Sequence, residues 1–137
     1  MIEIATAEAI IADRLLGSPL ARSLGLAIER IEQGMVQLTL PFAAANVTVR
    51  TVVHGGVIAT MADVTAVATA VSCARNIPDG GATSSLSITY LAPAAGCDLV
   101  ATGRSSRSGK RQHVVRVEIA SDGGTPVAEA LVTVVFS

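Results

Sequence analysis

The chain has 137 residues; half are hydrophobic, 15% are charged and the formal net charge is −1. Such a length predicts one domain over residues 1–137 with a core of its own, and so apolar a composition favours extensive buried surface, subunit contacts included. Near-neutral charge with no Trp, one Tyr and two Phe supplies neither a field to recruit nucleic acid or membrane nor the aromatic platforms that stack bases.

Cys73 and Cys97 have no close spacing, which argues against a disulfide scaffold or a zinc site. Glu3 and Glu8 stand where a signal peptide would be basic and apolar, so a cytoplasmic setting is expected.

Ala5–Leu16 reads as an amphipathic helix, with Ile10, Ile11 and Leu15 on one face and Thr6 as N-cap. Gly17-Ser18-Pro19 ends it, and Leu20–Leu24 forms another helical turn. Leu26–Ile31 and Met35–Leu40 are strands joined by Glu32-Gln33-Gly34. Phe42–Val52 is a loop. Val57 to Ala74 contains neither Gly nor Pro and predicts a helix over about 56–74, roughly 27 Å long. It is apolar all round, so it should be buried on every side, in a core or in lipid. Asp63 in mid-run, with Thr60, Thr65, Thr69 and Ser72, favours the core, because an ionisable group in hydrocarbon is costly.

After a loop at Asn76–Ala82, period-two patterning marks strands at Thr83–Leu91, Asp98–Ser106, Arg111–Ser121 and Pro126–Phe136. The order of hairpin, long helix and four strands predicts an α+β fold, an antiparallel sheet wrapped around one central helix. Pairing of sheet edges between two copies would cover the edges and bring the two helices face to face.

Chemistry concentrates at His54-Gly55-Gly56, which opens that helix. Glycines let backbone N–H groups approach a ligand closely, and the first helical turn has unpaired N–H groups at the positive end of the dipole. Both suit a carbonyl oxygen that becomes an oxyanion during acyl transfer. Asp63 is the only carboxylate in the run. It lies about 12 Å along the helix from Gly55, too far for one chain to use both on one carbonyl. The carboxylate must then come from a second copy, and the site lies at a dimer interface.

PLARSLGLAIERIEQGMVQLTLPF, HGGVIATMAD, SSLSITYLAPA and SGKRQHVVRVEIASDGGTPVAEALVTVVF together resemble the hotdog-fold acyl-CoA thioesterases of the phenylacetate-degradation and thioesterase-superfamily-member-2 type. The resemblance implies a hotdog fold and hydrolysis of an acyl-CoA to free acid and CoA, with sites at a homodimer interface, often within a homotetramer. No metal or cofactor is implied, coenzyme A being part of the substrate. Carried onto this chain, Gly55 N–H polarises the thioester carbonyl. Asp63 of the partner subunit activates water or attacks directly. Thr83 helps hold the water, and His54 shapes the turn. The family pattern N-x-x-G-x-x-HGG is broken here, since Thr48 and Thr51 replace its Asn and Gly. Either the Thr48 hydroxyl substitutes, or the loop shifts to present Asn46.

Gly56, Thr48 and Asn46 are thus candidate substrate-binding residues. Arg104, Arg107, Lys110 and Arg111 surround the SRSGKR hairpin. Lys110 and Arg111 are the preferred partners for CoA phosphates, and a solvated hairpin tip is the plain alternative. Arg75 suits the helix dipole, and His113 is expected as a structural residue on a strand face. Val57, Ala59, Met61 and Tyr90 are expected to line the acyl pocket. A non-catalytic acyl-CoA-binding protein is the alternative function; a hotdog dehydratase or hydratase fits less well, because such sites pair a His with a carboxylate and the only candidate His here is in the HGG turn.

Overall fold

The computed structural model describes residues 1–137. Its helices are α1 (Ile4–Ile10), α2 (Pro19–Leu24) and α3 (Gly55–Ser72), and its strands are β1 (Ala27–Glu32), β2 (Met35–Leu40), β3 (Gly81–Tyr90), β4 (Leu99–Ser108), β5 (Gln112–Ser121) and β6 (Pro126–Phe136). All strand pairs are antiparallel, in the order β1-β2-β4-β5-β6-β3. The predicted architecture is therefore present: one sheet curves around α3.

The alternation read from the sequence decides what faces inward. Val36, Leu38, Val115, Val117, Val132 and Val134 are fully buried against α3. The helix approaches closely because its own buried positions are small: Ala62, Ala66 and Ala70. Gly103 on β4 completes the fit; a Cβ there would stand 2.2 Å from Thr69 Oγ1. The buried hydroxyls are satisfied locally. Thr65 donates to Met61 O at 2.7 Å and Thr69 to Thr65 O at 2.8 Å. Ser72 Oγ accepts from Gly34 N at 3.0 Å, tying the end of α3 to the β1–β2 turn.

Three expectations change. Thr6 is not an N-cap, because α1 begins at Ile4 with Glu3 at the cap position. Beyond Ile10 the helix widens over Ile11–Leu15, with Leu16 N donating to Ile11 O at 2.9 Å. Second, α3 stops at Ser72 rather than Ala74; Cys73 and Ala74 donate to Ala70 O and Val71 O in a tightened last turn. Third, α3 is not buried on every side. Thr60, Asp63, Val64 and Val67, one stripe at helical spacing, are only half-buried. The sheet curls around α3 but does not close, so the stripe on the flank toward the edge strand β3 stays partly open.

Candidate active site

His54 caps α3. Its Nδ1 accepts from Gly56 N at 2.8 Å, and its carbonyl accepts from Val57 N and Ile58 N. The turn-shaping role expected of His54 is what its ring does here, and it occupies the Gly56 amide. Gly55 N–H, at the first helical position, donates to no group of the chain. Gly55 lines a cavity of about 400 Å3 whose other walls include Thr48, Val52, Ile58, Tyr90 and Leu91. Of the four residues expected to line a pocket, Tyr90 does so. Met61 does not, being fully buried under the sheet.

Tyr90 does something the sequence reading missed. Its hydroxyl donates to Gly55 O at 2.6 Å, pinning the start of α3 to the end of β3. The signal available in the sequence was that this is the only tyrosine, placed at a strand end.

Eight residues into α3, Asp63 Oδ1 accepts from Thr83 Oγ1 at 2.5 Å. Strict alternation along β3 places Leu86 and Ile88 inward, and would turn Thr83 outward. A bulge between Thr83 and Ser85, where β3 slips against β6, restores Thr83 to the inner face. That local fault in the ladder is what delivers the hydroxyl to Asp63.

The loop before His54 is built from backbone contacts. His54 N donates to Asn46 O at 2.7 Å, and Val53 N donates to Ala94 O at 2.9 Å. Arg50 takes the left-handed conformation, φ 54°. Thr48 lines the Gly55 cavity, but its hydroxyl leans on Val52 O at 3.5 Å. The Asn46 side chain makes no hydrogen bond, so this loop holds its carbonyl rather than its amide.

At the other end of α3, Lys110, Arg111 and Arg75 share a cavity of about 200 Å3 with His113 and Phe136. Arg111 Nε also donates to Phe136 O at 3.4 Å. Arg104 is not part of this group. It lies inside β4, opposite Arg116 on the outer face. His113 is buried as a structural residue, 3.1 Å from Ser108 Oγ. Burial, and secondarily Arg75, hold its imidazole below the usual pKa. No group of three or more His, Cys, Asp or Glu is placed to hold a metal ion.

A sheet wrapped around one helix, a glycine amide free at the helix mouth and a hydroxyl-held aspartate on its open flank define a hotdog-type protein. Comparison with known proteins agrees. The model of the thioesterase superfamily matches residues 51–128. The medium/long-chain acyl-CoA thioesterase YigI of Salmonella typhimurium is 31% identical over 130 residues, covering 84% of this chain and 83% of that protein. Among solved structures, a thioesterase family protein from Silicibacter pomeroyi superposes with a TM-score of 0.87 at 20% identity, covering 95% of this chain and 97% of that one. The E. coli PaaI protein of the phenylacetic acid degradation operon gives 0.85 at 23% identity, covering 98% and 95%. A hypothetical thioesterase from Streptococcus pneumoniae, solved with coenzyme A, gives 0.73 at 24% identity, covering 82% and 85%. The chain belongs to the thioesterase superfamily, and it is a thioester hydrolase.

Proposed function

We propose that this protein is a cytoplasmic acyl-CoA thioesterase whose active site is shared between two copies of the chain. The observation that carries the reading is the placement of β3. This edge strand runs back along α3, with Thr83 at Asp63 and Tyr90 at Gly55. Antiparallel pairing of β3 with the β3 of a second copy, centred near Leu86 and Ser87, sets Thr83 and Asp63 of one protomer against Tyr90 and Gly55 of the other. The same pairing covers the open edge and the half-buried stripe of α3. Stacking of two such dimers through the outer sheet faces would give a tetramer.

In this arrangement the thioester carbonyl accepts from Gly55 N–H of one protomer. Asp63 of the partner subunit, oriented by Thr83, removes a proton from water. Hydroxide adds to the carbonyl carbon and the oxyanion collects at the Gly55 amide. The C–S bond then breaks, and the CoA thiolate takes the proton back from Asp63. The alternative chemistry, direct attack by Asp63, passes through a mixed anhydride at the same position. Tyr90 fixes the carbonyl of Gly55, and His54 holds the turn. The names of the Salmonella relative and of the coenzyme A complex support acyl-CoA as the substrate class. Lys110 and Arg111, with Arg75 beside them, are the cations available to CoA phosphates. No metal or further cofactor is required by these steps.

The test is thiol release from a panel of acyl- and aryl-acyl-CoAs. Asp63→Asn should lose activity by about 100-fold or more, the scale of a general base. Full activity in that variant removes Asp63 from the chemistry, and a protein that stays monomeric while active removes the shared site.

A further inference from the structure

Beside the catalytic pair lies a second cavity of about 320 Å3, between the N-terminal helix and α3. Its walls are Ile10, Leu15, Val67, Val71 and Phe136. Thr83, the residue that holds Asp63, is part of the same lining. Asp63, Val67 and Val71 follow one another at intervals of one helical turn, so the cavity continues the catalytic row along about 12 Å of α3. Gly80, Gly81 and Ala82 form its floor. A Cβ at Gly81 would stand 2.6 Å from Phe136 Cδ1, so the backbone of β3 lies flat on the ring and leaves the space open. Arg14 and Pro78 also line it, and Arg14 Nη1 donates to Pro78 O at 2.9 Å.

Resting on the acyl-CoA reading above, we infer that this slot holds the acyl tail, and that Val67 and Leu15 set its permitted length. An alkyl chain whose carbonyl carbon is attacked beside Asp63 meets an apolar lining in the same protomer, and burying each CH2 there is favourable. The Arg14–Pro78 contact ties the widened end of the N-terminal helix to the loop before β3 and places a charged group in the lining, beside which burying an alkyl terminus is costly. The cavity at Gly55 is also lined largely by hydrophobic residues, with Thr48 and Tyr90 in its wall, and is the competing place for the tail that Ile58→Phe tests.

The experiment is a kcat/KM profile over saturated acyl-CoAs of rising length, for wild type, Val67→Phe, Leu15→Ala and Ile58→Phe, with thermal melts to confirm folding. Val67→Phe narrows the slot. It should lower the decanoyl-to-butanoyl ratio of kcat/KM by about tenfold or more, the discrimination a few methylenes carry in an apolar pocket. Leu15→Ala widens it and should move the optimum to longer chains; this variant decides the matter if Val67→Phe does not fold. Profiles that coincide with wild type for both slot variants overturn the assignment while leaving the thioesterase reading standing. So does a length shift produced only by Ile58→Phe, at the Gly55 cavity. A wild-type protein that cleaves no acyl-CoA overturns both together.

Discussion

Replacing Gly55 with proline removes its N–H and adds a pyrrolidine ring at the first position of a helix. Gly55 is the first residue of α3, where proline's fixed φ and missing N–H are tolerated. The preceding residue, His54, already has φ −58° and ψ 132°, the conformation a residue before proline prefers. The Gly55 N–H has no acceptor in the chain. The steric cost is bounded: a Cβ at this position meets Tyr90 Cζ and OH at 3.3 Å, so the exposed tyrosine ring must move by a few tenths of an ångström. Stability should therefore stay within about 1 kcal/mol of wild type. Activity should fall by about 100- to 1,000-fold in kcat, the loss measured when one oxyanion donor is removed, or about 2.7–4 kcal/mol. Gly55→Ala is the control, adding the same Cβ and keeping the N–H; its kcat should remain within about threefold of wild type, because the donor is intact. Thiol-release kinetics paired with thermal melts separate the effects. A folded Gly55→Pro enzyme with near-normal kcat, or an Ala variant equally impaired, would refute the assignment of this amide to the carbonyl.

Two further outcomes concern the frame. Gly103→Ala should destabilise the protein by about 2–3 kcal/mol in chemical denaturation, as overpacking of a tight core does. The added carbon would stand 2.2 Å from Thr69 Oγ1 and 3.3 Å from the Thr65 carbonyl; a loss below about 0.5 kcal/mol would mean that the contact between α3 and β4 yields more easily than its geometry implies. His113 gives a pH dependence with a definite sign. Its folded-state pKa is lowered by burial and by Arg75, so the unfolded chain binds a proton that the folded one refuses. Stability is then fully present above the ordinary imidazole value of about 6.5 and declines as pH falls below it. Denaturation midpoints measured between pH 7.5 and 5 should show this decline, and it should flatten in His113→Gln.

The fold was legible because its signals are local. Alternation marked Arg111–Ser121 and Pro126–Phe136 nearly to the residue, and a long Ala/Val/Thr-rich run free of Gly and Pro reads as a helix packed into a core. Apolarity alone said nothing about where the sheet would stop curling, so the half-open stripe at Thr60, Asp63 and Val67 was not foreseen. The site was legible in its parts and opaque in its joints. His54, Gly55 and Asp63 stand out by type and spacing. The nearness of Thr83 to Asp63 depends on a bulge against β6, nearly fifty residues further along the chain, and period-two counting points Thr83 the wrong way. Likewise the loop from Val47 to Val53 is held by Ala94, and through Thr51 by Gly96, partners that no window of adjacent residues contains. Arg104 is close to the basic turn in sequence, but register places it on the outer face of the sheet.

The order of strands has a consequence for biosynthesis. β3 is made soon after α3 but pairs within the chain only with β6. Until the ribosome has delivered residues through Phe136, β3 has no neighbour to impose the slip that turns Thr83 inward. A nascent or C-terminally clipped chain can therefore form the β1–β2 hairpin and the helix while its aspartate still lacks an oriented hydroxyl. Orientation of that carboxylate therefore waits for β6, although α3 and β3 are synthesised well before it.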